Sequence, residues 1–165
     1  IITVGTDKEY QTINEALQAI SYMVRSNTDR VTILIDSGNY EEMLVIDQPN
    51  ITLKNAAITP NTNLINGGVN ITEGAVRVTS YYGHGYHYYS MGSNQKWNQD
   101  VLNVNMANGN YSHTNAGAGT TNGSYWNATV VVRANGFEAE GIIFENSFNQ
   151  YISTTESQDI VVAWS

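Results

Sequence analysis

The stretch VTILIDSGNYEEMLVID, residues 31–47, decides the fold, because it contains two short runs of valine, isoleucine and leucine separated by turn-forming residues. The apolar runs predict β-strands at Val31–Ile35 and Leu44–Ile46. Serine, glycine and asparagine at 37–39, followed by Tyr40, predict a turn between the strands. The chain therefore changes direction after about five residues of strand, as it does in folds built from short β segments.

Two adjacent carboxylates, Glu41 and Glu42, follow this predicted turn. Neighbouring residues of a strand point to opposite faces, so these two side chains are badly placed to flank one substrate bond as acid and base. We expect one carboxylate to be solvated and the other to hydrogen-bond to backbone. The pair is interpreted as part of a corner of a sheet and not as catalytic.

Short apolar runs bounded by Gly, Asn, Asp or Ser recur along the rest of the chain. They are mostly apolar and do not alternate, and outside Asn66-Gly67-Gly68 no tight two-residue turn joins two of them, which is typical of parallel strands. We therefore predict an all-β fold, a right-handed parallel β-helix in which coils stack as a solenoid. The further strands are expected at Ile51–Leu53, Ala75–Val78, Thr129–Arg133 and Ile142–Phe144, with weaker candidates at Leu64–Ile65 and Ile160–Val162.

One helix is predicted, over residues 12–24. Thr12 followed by Glu15 has the spacing of a capping box, in which each side chain bonds to the backbone of the other residue. The apolar stripe of this helix consists of Ile13, Leu17, Ile20 and Val24. Since an open coil exposes its core and an unpaired edge, we expect the helix to cap the N-terminal end of the solenoid.

Composition limits the classes of function. The 165 residues are treated as a single domain, 1–165, with a loop insertion rich in Tyr, Gly and Asn at about 80–125. A net charge of −8 with only 7 basic residues argues against nucleic acid as a partner. The absence of cysteine excludes disulfides and thiolate metal sites, and no apolar run is long enough to cross a membrane.

The loop insertion contains the candidate contacts to ligands. Its tyrosines and tryptophans have flat rings on which sugar rings can stack, although they can equally pack against one another. His84 and His87, with His113 later in the insertion, have the residue types of a zinc site. Glycines break the segment around them and no carboxylate lies nearby in sequence, so we predict no metal.

Three segments together resemble the pectin methylesterases, carbohydrate esterase family 8. They are EYQTINEALQAI at 9–20, RVTILIDSGNYEEMLVI at 30–46 and NATVVVRANGFEAEGIIFENS at 127–147. The second contains the G-x-Y-x-E element as Gly38, Tyr40 and Glu42, which in that family is a structural corner. The third is similar to the A-T-V, G-F-x-A and I-x-F-x-N elements, and the tyrosine-rich insertion resembles an enlargement of some bacterial members.

The resemblance implies hydrolysis of galacturonosyl methyl esters of pectin, without metal or cofactor. One aspartate attacks the ester carbonyl, a second acts as acid and base, and an arginine and glutamines orient and stabilise the reacting groups. The four motifs that hold these groups lie downstream of I-x-F-x-N, and none is complete here. Gln158 and Asp159 imitate one of them only in part, so Asp159 is a weak candidate for the nucleophile.

The resemblance also implies two residues that contact substrate. Ser124 and Tyr125 match a Thr-Phe pair ahead of the A-T-V threonine, where the hydroxyl contacts substrate. The resemblance thus predicts the N-terminal part of a secreted or cell-surface esterase, inactive alone, with its catalytic aspartates beyond residue 165. Its expected partners are methylated pectin and either the missing C-terminal coils or a second copy.

Three other functions are considered. A non-catalytic carbohydrate-binding β-helix would use the aromatic insertion and need no aspartates. A structural solenoid of an adhesin or phage fibre would bind no pectin. A calcium-dependent pectate lyase would need a cluster of carboxylates, and the sequence shows no such cluster.

Overall fold

A computed structural model of the protein describes residues 1–63, 73–80 and 128–146. These residues form one α-helix and nine strands of three to five residues each. In chain order the elements are β1 (Ile2–Val4), α1 (Ile13–Ser21), β2 (Val31–Ile35), β3 (Gly38–Glu41), β4 (Leu44–Ile46), β5 (Ile51–Asn55), β6 (Val76–Ser80), β7 (Val130–Val132), β8 (Glu138–Glu140) and β9 (Ile142–Asn146).

The strands form three parallel sheets, which the chain visits repeatedly in the same order. β2, β3 and β4 each belong to a different sheet, and β5, β6 and β7 then pair with them in that order. β8 and β9 add a third layer on β5 and β6, while β1 pairs with β2 from the other side. Parallel pairing of strands that lie 20 or more residues apart is therefore confirmed.

Residues at equivalent positions of successive layers stack along the sheets. Ile33 pairs with Leu53, and Tyr40 pairs with Val78, which in turn pairs with Phe144. Such columns place apolar side chains on one side of each sheet, where they form one buried cluster with the helix. The fully buried members include Val4, Ile13, Ile20, Ile33, Ile35, Leu44, Ile46, Ile51, Leu53, Val76 and Val78.

The helix begins as predicted but ends earlier. Thr12 is the N-cap, and both hydrogen bonds of the capping box with Glu15 are present. The helix stops at Ser21, so the predicted extension to residue 24 is wrong. Val24 is completely exposed, with a relative accessibility of 103%, and does not belong to the apolar stripe. The stripe that packs on the sheets consists of Ile13, Ala16 and Ile20, with Leu17 partly buried.

Most predicted strands are confirmed, with shifts of one or two residues at their ends. The predicted turn at 37–40 is wrong, because Gly38–Glu41 forms β3 and pairs with β6. Only two residues, Asp36 and Ser37, separate β2 from β3, so the change of direction needs less chain than expected. The short, charged strand β8 was not predicted, because Glu-Ala-Glu has low β-propensity. It is a strand here because it pairs with β5. Leu64–Ile65 and Ile160–Val162 lie outside the described residues.

A buried asparagine joins two layers at the corner between the first and second sheets. The Asn55 amide donates hydrogen bonds to the carbonyls of Gly74, at 2.8 Å, and Gly141, at 3.1 Å, which precede strands in successive layers. Gly141 has a φ of +64°, and a Cβ atom there would lie 2.8 Å from Cβ of Pro60. Glycine is thus required both by conformation and by the close approach of the layers.

A buried ion pair connects strands of the second sheet. Arg77 on β6 and Glu145 on β9 approach to 3.3 Å, and their side chains are only 4% and 9% exposed. Arg77 Nε also donates to Asn39 Oδ1 on β3 at 2.8 Å. One polar residue from each strand therefore joins a network across all three strands of the sheet. In the part of the chain that the structure describes, no helix is long and apolar enough to cross a membrane.

Substitution of Arg77 by Met should destabilise the protein by about 3–5 kcal/mol, because it leaves a buried carboxylate without its cation. Urea denaturation followed by circular dichroism measures this loss. The double variant Arg77→Met/Glu145→Gln should recover part of it.

The matched control is Lys54→Met. Lys54 pairs with Glu140 across neighbouring strands, but about half of each side chain is exposed. An exposed pair contributes about 0–1 kcal/mol, so this variant should keep nearly full stability. Equal losses for Arg77→Met and Lys54→Met would contradict the assignment of Arg77 as a buried structural cation.

Candidate functional site

The residues predicted to act on substrate lie outside the described ranges. This applies to the substrate-contact candidates Ser124 and Tyr125 and to the weak catalytic candidates Gln158 and Asp159. It applies equally to the three histidines, at 84, 87 and 113. Their predicted roles therefore stay predictions. What the structure describes is the frame to which the insertion is attached.

The predicted insertion connects β6 to β7, and both of its attachment points lie in the described part. In the first layer the equivalent connection, from β3 to β4, takes only Glu42 and Met43. Ser80, the last residue of β6, and Thr129, immediately before β7, have their hydroxyl oxygens 3.0 Å apart. Thr129 Oγ1 donates to the carbonyl of Glu145 at 3.1 Å, so Ser80 is the donor to Thr129. The A-T-V threonine thus holds the ends of the insertion to the third layer.

Glu42 binds the N-terminus of the helix. Its Oε2 accepts a hydrogen bond from the backbone N–H of Ile13, and its Oε1 accepts one from that of Asn14, both at 2.9 Å. The Asn14 side chain donates to the same Oε1 at 2.9 Å and to the carbonyl of Met43 at 3.2 Å. The expectation that one of the two adjacent carboxylates bonds to backbone is confirmed, and the backbone belongs to the first turn of α1.

The first four N–H groups of the helix, counted from the N-cap, are all paired. Glu15 Oε2 accepts from the Thr12 N–H at 3.1 Å, Glu42 accepts from the next two, and the Thr12 hydroxyl accepts from the Glu15 N–H at 3.1 Å. These are the groups that a helix leaves without internal partners. A carboxylate at this end also interacts favourably with the partial positive charge of the helix. The position of the helix on the sheets is therefore fixed by a residue 28 positions downstream of Asn14.

The contacts of Glu42 are those of a structural residue. Burial raises the pKa of its carboxyl group, opposed by the hydrogen bonds from Asn14 and Ile13. Both oxygens already accept hydrogen bonds, so the group is engaged in the cap and does not face a substrate. The interpretation that this carboxylate is not catalytic agrees with these contacts.

Tyr40, the central residue of the G-x-Y-x-E element, completes the corner. Its hydroxyl donates to the carbonyl of Asp36 at 2.8 Å. Gly38 lies against the ring, where a Cβ atom would come within 3.2 Å of Cε2. Burial, and after it the negative charges of Asp36 and Glu42, raise the pKa of Tyr40 to about 12. Each fixed residue of the element thus has a structural partner.

Sequence reasoning missed three residues of this frame, namely Asn14, Asn39 and Arg77. Asn14 lies in the predicted helix, Arg77 in a predicted strand and Asn39 in the predicted turn, and the partner of each is 28 or more residues away. The only local signal was polarity at positions next to apolar ones. Within residues 1–63, 73–80 and 128–146, no three His, Asp or Glu side chains are grouped so that they could hold a metal ion.

The fold of this chain is similar to that of solved pectin methylesterases. The enzyme from Erwinia chrysanthemi is 18% identical, with a TM-score of 0.53 over 94% of this chain and 34% of its own. A pectin methylesterase in complex with a hexasaccharide is 19% identical, with a TM-score of 0.51 over the same shares. The resemblance in fold to the pectin methylesterases is confirmed. These are parallel β-helix proteins, and the chain spans about a third of their length.

The enzyme from Aspergillus niger is 26% identical over 86% of this chain and 32% of its own, at a TM-score of 0.46. The likeness in fold is shown by the two structures with TM-scores above 0.5. No protein-family profile and no curated protein sequence matches the chain.

Replacement of Glu42 by Ala should lower the free energy of unfolding by about 2–3 kcal/mol, because two backbone N–H groups and the Asn14 amide lose a charged acceptor. Chemical denaturation measures the loss, and helix content at 222 nm should fall before strand content. The control is Glu9→Gln, which neutralises an exposed carboxylate close to the same helix. A loss no larger than that of the control would contradict the cap.

The Tyr40 phenol should make stability depend on alkaline pH. Its pKa in the folded state, about 12, lies above the ordinary value of 10, so its contribution is complete below pH 10 and is lost as pH rises through 12. Tyr40→Phe should therefore be less stable than the wild type at pH 8, with the difference shrinking above pH 10. Urea denaturation of both proteins across this range gives the comparison, and a difference that stays constant would contradict the raised pKa.

Proposed function

We propose that this chain is the N-terminal part of a right-handed parallel β-helix that belongs to a pectin methylesterase. The observation that carries the proposal is the order of the strands, which enter three parallel sheets in register and superpose on pectin methylesterases over 94% of the chain. The G-x-Y-x-E corner supports it, because Gly38, Tyr40 and Glu42 have the structural partners that a corner requires.

The proposed reaction is hydrolysis of the methyl ester of galacturonosyl residues, which gives methanol and a free carboxylate. An aspartate attacks the carbonyl carbon and methanol leaves with a proton from a second aspartate; water then cleaves the acyl-enzyme. We propose that both aspartates are supplied by coils beyond residue 165, since two thirds of the solved neighbours have no counterpart in this chain. No cofactor is required for this chemistry.

The proposed partner is methylated pectin. One of the solved neighbours was crystallised with a hexasaccharide, which supports an oligosaccharide ligand for the family fold. Pectin is a polymer of the plant cell wall, so we propose that the protein acts outside the cell that makes it. Phe144 on the third layer is 36% exposed, and Val132 on β7 of the second layer is 46% exposed, which supports further coils or a second copy as cover.

Methanol release from highly methylated pectin tests the activity. The 165-residue chain, shown by circular dichroism to be folded, should release none, and a longer product of the same gene that includes further coils should release it at an enzymatic rate. If the longer product is folded and releases no methanol, the esterase proposal is wrong. Release by the 165-residue chain that disappears in Asp159→Asn would place the nucleophile at Asp159.

Binding to pectin tests Ser124 and Tyr125. Tyr125→Ala should weaken the affinity for methylated pectin by about tenfold and Ser124→Ala by about fivefold, the losses expected for an aromatic contact and a hydrogen bond. Affinity gel electrophoresis of the folded chain gives both values.

The control is Tyr22→Ala, since this tyrosine follows the helix and is exposed. An equal loss for Tyr22→Ala would contradict specific contact by Tyr125. Binding that depends on Tyr125, together with a longer product that never releases methanol, would instead favour the non-catalytic carbohydrate-binding protein.

A further inference from the structure

A groove with a volume of about 540 Å³ lies between the loop that precedes α1 and the strand β3. β3 is the first strand of its sheet and pairs only with β6 among the described residues, so its other edge faces this groove. The size is within the range of small-ligand sites, and the walls are β3 on one side and, on the other, the loop that leads into the capped helix.

The lining is almost entirely polar and contains side chains with free hydrogen-bonding capacity. The Gln11 amide and the Ser37 hydroxyl are exposed and make no side-chain hydrogen bond within the described part of the chain. Asn39 contributes a side-chain amide and Thr6 a hydroxyl, while Tyr40 contributes an aromatic ring. Hydroxyls and amides both donate and accept, which suits a ligand whose surface consists of hydroxyl groups.

Two of these side chains are fixed before any ligand binds. Asn39 Oδ1 accepts from Arg77 Nε at 2.8 Å, and this orients the amide so that its Nδ2 donors remain available. Arg77 is itself buried and paired with Glu145. Tyr40 is held by its bond to the Asp36 carbonyl and by contact with Gly38. Groups that are already ordered lose little entropy on binding, so each hydrogen bond contributes more to affinity.

The charge of the groove selects among sugars. Glu41 places an acidic side chain in its lining, Glu42 also lines it although its carboxylate is engaged in the helix cap, and the lining has no lysine or arginine. A polymer with many free carboxylates would be repelled at short range, whereas neutral or esterified sugar residues would not. The net charge of −8 acts in the same direction.

We propose that this groove is a carbohydrate-binding site that takes a neutral segment of polysaccharide, such as fully methyl-esterified galacturonosyl residues. Gln11, Ser37 and Asn39 would bond to sugar hydroxyls, while Tyr40, which packs against the buried cluster, would form a rigid part of the wall. The choice of pectin rests on the proposed function, whereas the preference for neutral, hydroxyl-rich ligands rests on the groove itself.

The test compares two matched double variants by isothermal titration with methylated oligogalacturonides. Gln11→Ala/Ser37→Ala removes one amide and one hydroxyl from the groove, and both residues are exposed. Gln18→Ala/Ser21→Ala removes the same two groups, also exposed, from a groove between α1 and β4. The first variant should bind about tenfold more weakly, the loss expected for two hydrogen bonds, and the second should bind as the wild type does.

A second titration uses demethylated oligogalacturonides of the same length, which should bind more weakly than the methylated ones. Absence of binding by the wild type, equal losses in both double variants, or tighter binding of the demethylated form would each overturn the proposal. The esterase proposal is tested separately, by methanol release from the longer product. A tenfold loss of affinity in the groove variant without any methanol release would support the groove as a carbohydrate-binding site and contradict the esterase proposal.

Discussion

The attachment of the helix N-terminus to Glu42 is the constraint on which the rest of the structure depends. It satisfies N–H groups of the first helical turn with a carboxylate from the corner between β3 and β4. The helix can then cover the end of the buried cluster with Ile13, Ala16 and Ile20. Without a cover, the first layer would expose both its apolar interior and the ends of its sheets to water.

The stacked layers are held together by polar groups as well as by apolar columns. Asn55 bonds to the corner carbonyls of two layers, and Arg77 links Asn39 to Glu145 across three strands. Asn55 and Arg77 are buried and would be costly without their partners. They therefore fix which layer lies on which, a choice that interchangeable valines and isoleucines would leave open.

Residues with structural contacts and the candidate substrate contacts lie in different segments of the chain. The G-x-Y-x-E corner uses its glutamate, Glu42, to bind the N-terminus of the helix. The corresponding corner of the next layer is opened by the insertion between Ser80 and Thr129, which contains the candidate substrate contacts. The groove beside β3 lies at the strand that ends in this same corner of the first layer. A scaffold with short repeated layers can place such different features side by side because each corner is a separate segment of chain.

Local sequence was enough to predict the parallel strands, the Thr12–Glu15 capping box and the backbone hydrogen bonds of one of the two carboxylates Glu41 and Glu42. These depend on residue type and on spacings of a few residues. It was not enough to end the helix at Ser21, to recognise β3 and β8 as strands, or to find the partners of Asn39, Asn55 and Arg77. Apart from the end of the helix, contact with a neighbouring layer decides these features, and that neighbour is about 20 to 90 residues away in the chain. Residue types and local spacing therefore predict the kind of each element and the order of the elements. The ends of the elements and their polar contacts depend on tertiary structure, because the free energy of strand pairing and of buried hydrogen bonds is gained only between layers.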